Sequence, residues 1–281
     1  MGTLILLAVL VQTAQPAAQP VASPAMQAFM DANAFYEKKE NDQALGAYDR
    51  AIALDAANAD FHIGRCRTLA RLQRHEDAIA SCSKALELRP NDPAALLERG
   101  HFYLNLRKVD LALVDLTQAA ALKADPYGVA YHTALSYYVT GEYARAVPAY
   151  EDCVRTAKTV DNTVACTAWQ YLALARAGRK EDAGKVLDGI TPDLKVQDSS
   201  AYLDRLLLFK GVKTEQEVAP TMDKNALTLP TVAYSIGVWH LLNGRDARAR
   251  EYFEKAVSPA AQRTAFGSVA SEFELKRMKQ P

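Results

Sequence analysis

Net charge is missing from this chain: 33 Lys and Arg stand against 33 Asp and Glu over 281 residues. That balance argues against a surface that holds nucleic acid or anionic lipid by bulk charge, so no nucleic-acid partner is expected. Long apolar runs are missing too. The run Leu4–Val11 has eight residues, against roughly 20 for a bilayer-spanning helix, so no stable membrane span is expected. Cysteine is scarce, with four residues, and the C-x-x-C spacing of zinc ribbons is absent. Also absent are G-x-S-x-G, H-E-x-x-H, the Walker A loop and G-x-G-x-x-G, each of which would bring a recognisable chemistry. The chain therefore reads as non-enzymatic, with no catalytic residue, metal or cofactor.

The first charged side chain is Asp31. Leu4–Val11, followed by QTAQPAAQP, has the form of a secretory signal peptide over residues 1–14, cut near Ala14. Its n-region lacks Lys and Arg, and Gln12 is a poor residue at −3, so an apolar tail stays open as the alternative. Export places the protein in the periplasm or outside the cell; without it the protein is cytoplasmic. No cysteine precedes Cys66, so a lipid-modified amino-terminal cysteine is not expected. Residues 15–24 are rich in Pro, Ala and Gln and read as a linker.

What the chain does have is a period. Ala59 to Asp92 reads as two short amphipathic helices joined by a tight turn, with His62, Cys66 and Leu69 on one face of the first. The second carries Ala78, Cys82, Ala85 and Leu88, and Pro90 stops it. A step of 34 residues forward gives Leu96, Gly100, Tyr103, Ala112, Leu116, Ala119 and Leu122 in the same slots. The same step back gives Ala28, Ala32, Phe35, Ala44, Tyr48, Ala51 and Leu54. The next unit forward carries Ala130, Ala134, Tyr137, Ala146, Tyr150 and Cys153.

Four in-phase units of this length resemble the tetratricopeptide repeat (TPR) family. The resemblance implies an all-α fold, a right-handed α-solenoid of stacked antiparallel helix pairs, because one hairpin cannot bury its own apolar face. Repeats are expected over 25–160. Divergent TPR-like repeats follow over 161–281, after a phase slip of about three residues past Val160. These comprise a hairpin from Trp169 to Leu187, a weaker pair from Tyr202 to Met222 and a clear unit from Thr231 to Val257. A capping helix then runs from Phe266 to Met278, with Val269, Phe273 and Leu275 inward and Glu272, Lys276 and Arg277 outward. The carboxyl-terminal order W-x-Y-L-A-L-A-R-x-G, then Y-L-x-x-L-L-x-x-K-G, is similar to exported bacterial TPR adaptor proteins. That similarity implies an adaptor or scaffold of the bacterial envelope, with a protein or peptide as partner; a homo-oligomer stays open.

Cys66 and Cys82 lie symmetrically about a turn near residue 74, and Cys153 and Cys166 about a turn near 159. In an exported protein this placement points to two disulfides, each worth about 3 kcal/mol in the loop-entropy account. A cysteine in a small-residue slot also serves simply as a small buried hydrophobe. His62, Cys66 and Cys82 lack a fourth metal ligand, and His62 is better read as a packing residue.

In TPR arrays the first helices line the concave face, and the resemblance assigns Asn33, Tyr36, Arg67, Arg71, His101, Tyr131, Tyr138 and Trp169 to it. Of these, Arg67, Tyr131, Tyr138 and Trp169 are expected to be exposed anchors, since aromatics and arginine dominate binding hot spots. The family's two-carboxylate clamp for acidic C-terminal peptides carries over poorly. Asn33 fits its asparagine slot, but Phe29, Gly64, Ala94 and Glu98 replace the expected basic and polar residues. The competing functional reading is a small-molecule, murein-fragment or metal-binding accessory subunit of an enzyme.

Overall fold

The computed structural model describes residues 22–279. The signal-peptide segment 1–14 and the linker up to residue 21 lie outside the described residues. Within them the chain is all-α, with fifteen α-helices and one 3-10 turn. Helices α1 (Pro24–Glu37) and α2 (Asn41–Leu54) form the first pair, so the linker's last residue already belongs to a helix. The next pairs are α3 (Ala59–Arg71) with α4 (His75–Leu88), α5 (Pro93–Asn105) with α6 (Val109–Ala121), and α7 (Pro126–Thr140) with α8 (Tyr143–Thr156). Then come α9 (Val160–Arg176) with the short α10 (Lys180–Lys185), and α11 (Ser200–Lys210) with α12 (Glu215–Val218) and the 3-10 turn Ala219–Lys224. The last are α13 (Thr228–Leu242) with α14 (Asp246–Ala256), and the single α15 (Phe266–Arg277). Neighbouring helices stack in sequence order, as a solenoid requires.

Local chemistry sets each boundary. Ser23, Asn58, Asp92, Asp125 and Thr159 precede α1, α3, α5, α7 and α9, and each side chain accepts a backbone N–H of the first turn. Each hairpin turns on one left-handed residue: Lys39, Gln73 and Arg107, then Gly141, Gly178, Gly211 and Gly244. The first four are 34 apart, and the step from 141 to 178 is 37, which locates the three-residue slip. The residue after each one donates its N–H to the carbonyl five back (Glu40 to Phe35, Arg74 to Leu69, Lys108 to Tyr103), closing the helix end. Thr214 and Glu217 cap α12 reciprocally.

The small slots sit where helix backbones meet. Ala32, Cys66, Gly100 and Ala134, with Ala44, Ala78, Ala112 and Ala146, are buried. A Cβ on Gly100 would lie 3.0 Å from Leu116 Cγ, so this slot has no room for a side chain. Cys66 is joined to Cys82 and Cys153 to Cys166, with Cα–Cα separations of 5.4 Å and 5.8 Å. The second link spans α8 to α9, where the phase slips.

The carboxyl-terminal helices fold back over the later first helices. Tyr234 of α13 donates its hydroxyl to Tyr138 of α7 at 2.7 Å, and Trp169 of α9 stacks on Tyr234 at 5.5 Å. Arg277 of α15 donates to the Val139 carbonyl of α7 at 2.9 Å. Arg107, at the tip of the third hairpin, makes a two-pronged pair with Glu272 at 2.8 and 2.9 Å. Glu274 is buried between Arg176 and Arg277, each 2.7 Å away. The expected outward face of α15 is thereby corrected: Glu272 turns inward to Arg107 of the third hairpin, and Arg277 turns inward to Glu274 and the Val139 carbonyl of α7.

Candidate functional site

The expected groove divides in two. Tyr131, Tyr138 and Trp169 are 7%, 0% and 0% exposed, which corrects their reading as exposed anchors. Their slots do face the concave side, but α13 and α15 occupy it there and turn those side chains into core. Tyr138 packs edge-on to Trp169 at 5.3 Å, and burial raises its phenol well above the usual range.

Asn33, Tyr36, Arg67, Arg71 and His101 remain on an open surface. The last four line a cavity of about 350 Å³ between the first helices of repeats one to three and the segment 261–266. A second hollow of about 250 Å³ holds Asn33 and shares Tyr36 and Arg67 with the first, so the two run together along the groove. Each side chain is held by neighbours. Asn33 Oδ1 accepts the Tyr48 hydroxyl at 2.6 Å, and burial pushes the Tyr48 phenol up to about 12. Arg67 is paired with Glu98 at 2.7 Å across one repeat. Arg71 lies 3.3 Å above the centre of the Tyr36 ring and donates to the Tyr36 carbonyl at 2.6 Å. This cation has no carboxylate partner among the described residues and remains exposed.

The floor is aromatic. His101 stacks on His132 at 4.3 Å, with Phe266 5.6 and 5.8 Å from the two rings. Burial lowers the His101 imidazole to about 4 and that of His132 to about 3, so both are neutral at physiological pH. His132 Nδ1 sits 2.8 Å from the Gly128 carbonyl, and Asn105 Nδ2 lies 3.3 Å from His101 Nε2. Two buried atoms of the lining, His75 Nδ1 and Asn105 Oδ1, find no hydrogen-bond partner among the described residues. Both residues are 4% exposed. Sequence reasoning passed over His75, Asn105 and Phe266. Asn105 follows His101 by one helical turn, so the spacing alone puts the two on one face.

His62 lies on another surface, its Nε2 bound to the Ala56 carbonyl at 3.1 Å, as a packing histidine should be. Among the described residues no three or more His, Cys, Asp or Glu are grouped to hold a metal ion, and no helix is long and apolar enough to cross a membrane. A larger cavity of about 580 Å³ lies between α6, α7 and α8, lined mainly by apolar and small residues such as Leu116, Ala120 and Val129.

Residues 29–93 match the tetratricopeptide repeat family model. A tetratricopeptide repeat protein of Parabacteroides merdae superposes on 89% of this chain and 98% of its own, with a TM-score of 0.58 at 14% identity. Residues 29–93 thus carry the tetratricopeptide repeat, and the fold of the described residues is that of a TPR solenoid. Among solved TPR-like folds, the type IV pilus biogenesis factor PilW superposes on 63% of this chain and 80% of its own, with a TM-score of 0.55 at 16% identity. Curated relatives match only part of the TPR chain. The STIP1 homolog of Dictyostelium discoideum is 31% identical over 94 residues, 34% of this chain and 16% of that protein. Hsc70-interacting protein 1 of Drosophila melanogaster is 34% identical over 90 residues, 32% of this chain and 24% of its own. The chain thus spans less than a quarter of the length of these relatives.

Proposed function

We propose that this protein is a non-enzymatic adaptor or scaffold of the bacterial envelope that binds a protein or peptide partner in the groove over its first three repeats. The observation that carries this reading is the open groove itself. It has an aromatic floor and, among the described residues, one arginine without a carboxylate and two buried acceptors without a donor. Such a lining suits an extended segment that brings both carboxylates or carbonyls and N–H groups. One of the relatives is named as an Hsc70-interacting protein, which supports a protein ligand here. The clamp positions Phe29, Gly64, Ala94 and Glu98 do not favour an acidic chaperone tail. Two disulfides and the apolar run Leu4–Val11 support an oxidising, exported setting.

A cavity of about 350 Å³ also suits a small ligand, which keeps a murein-fragment-binding accessory subunit as the second reading. A pull-down from the native envelope with the chain as bait, followed by calorimetric titration of the captured protein and of murein fragments, separates the two. The adaptor reading expects heat from the protein and none from the fragments, and the reverse result overturns it. Localisation is tested by fusing residues 1–24 to a reporter active only outside the cytoplasm. Silence from that reporter contradicts export.

A further inference from the structure

Arg205 of α11 is 0% exposed and forms no ion pair among the described residues; its chain neighbour Asp204 is paired with Lys213 instead. The Arg205 Nε donates to Ser235 Oγ at 2.8 Å, while Nη1 and Nη2 have no acceptor among the described residues. The guanidinium carbon lies 4.5, 5.1 and 5.6 Å from the ring centres of Trp169, Tyr202 and Tyr234. Ring faces offset part of the cost of burying a cation, but they do not complete the hydrogen bonds of its N–H groups. Two more buried donors nearby lack an acceptor: Trp169 Nε1 and the hydroxyl of Tyr150, on which the Arg205 charge acts. The buried carboxylates Glu274 and Asp204 are already taken, the first by Arg176 and Arg277 and the second by Lys213. Positive charge is therefore in excess, and the unpartnered groups can all donate. That is the complement of an anion, since only an acceptor carrying negative charge satisfies both conditions.

We propose that Arg205, Trp169 and Tyr150 form a buried site for one small anion, chloride or a carboxylate of similar size, separated from the groove by the Tyr202 ring. Tyr202 lines the groove on one side and covers the guanidinium on the other, so its rotation is the route of entry. The site does not depend on the adaptor reading.

Bromide is the probe, because a heavy halide held against an indole quenches its fluorescence. The chain has two tryptophans, and Trp239→Phe leaves Trp169 as the only indole, read by excitation at wavelengths tyrosine does not absorb. At constant ionic strength set with gluconate, bromide should quench Trp169 along a saturating curve. Chloride or acetate should relieve that quenching, and whichever competes names the natural class. The same anion should raise the melting temperature by about 2–4 °C, as a ligand of the folded state does. Arg205→Met should abolish both responses, and Tyr150→Phe should weaken binding several-fold. If Arg205→Met fails to fold, the competition in the Trp239→Phe chain and the Tyr150→Phe comparison decide. Linear, weak quenching with melting that follows ionic strength alone overturns the site, and so does a saturating response that survives Arg205→Met.

Discussion

Tyr138 and Trp169 show how one side chain changes meaning with what covers it. Both are fully buried, and Tyr138 accepts the Tyr234 hydroxyl. Trp169→Ala should therefore destabilise the fold by about 3–5 kcal/mol through cavity formation and lost packing. Tyr138→Phe, which keeps the shape but removes the acceptor of a buried hydroxyl, should cost about 1–3 kcal/mol. Chemical denaturation measures both, and a Trp169→Ala chain of unchanged stability contradicts the burial. The paired histidines add a pH dependence. Burial holds His101 at about 4 and His132 at about 3, below the usual 6.5, so the unfolded chain takes up these protons first. Their contribution is complete above about 6.5 and declines as pH falls toward 4. Melting temperature should drop through that window, and His132→Phe should flatten the slope; an equal slope in the variant contradicts this. Neither effect was legible in the sequence, because a slot number gives the face of a helix and not what later packs on it. The cluster of large aromatics at neighbouring slots was the available sign of a core.

Among the elements, the repeats were legible because small residues recur wherever two backbones touch. The left-handed turn residues follow the same period, although the first three are not glycine. The phase slip was visible too, and the Cys153–Cys166 link now spans it. What the local pattern concealed is the role of α15. Glu272 looked solvated because its partner Arg107 lies 165 residues away in sequence. Glu272→Gln keeps the side chain's shape and removes the charge that Arg107 and Arg263 bind. It should cost about 1.5–3 kcal/mol and raise hydrogen exchange in α15. Unaltered exchange there contradicts a clasp. Each disulfide should contribute about 3 kcal/mol. Peptide maps of unreduced protein should show the links 66–82 and 153–166, whereas four alkylatable thiols, or a crossed pairing, contradict them.

For the whole molecule, the concave side of a single solenoid is treated in two ways. Repeats one to three leave it open, and repeats four onward fill it with the chain's own carboxyl-terminal helices. The open part keeps Asn33, Tyr36, Arg67, Arg71 and His101 accessible on a rigid scaffold, where binding residues belong. The direct test is calorimetric titration of the captured partner against the unaltered chain, Tyr36→Ala and Arg71→Ala, with melting temperatures measured alongside. A partner seated in this groove should lose about 2 kcal/mol of binding in at least one variant, roughly thirtyfold in affinity. Arg71→Ala should leave the melting temperature nearly unchanged, because Arg71 is an exposed residue with no ion pair among the described residues. Full affinity in both variants, with normal melting, contradicts the groove and moves the partner to another surface.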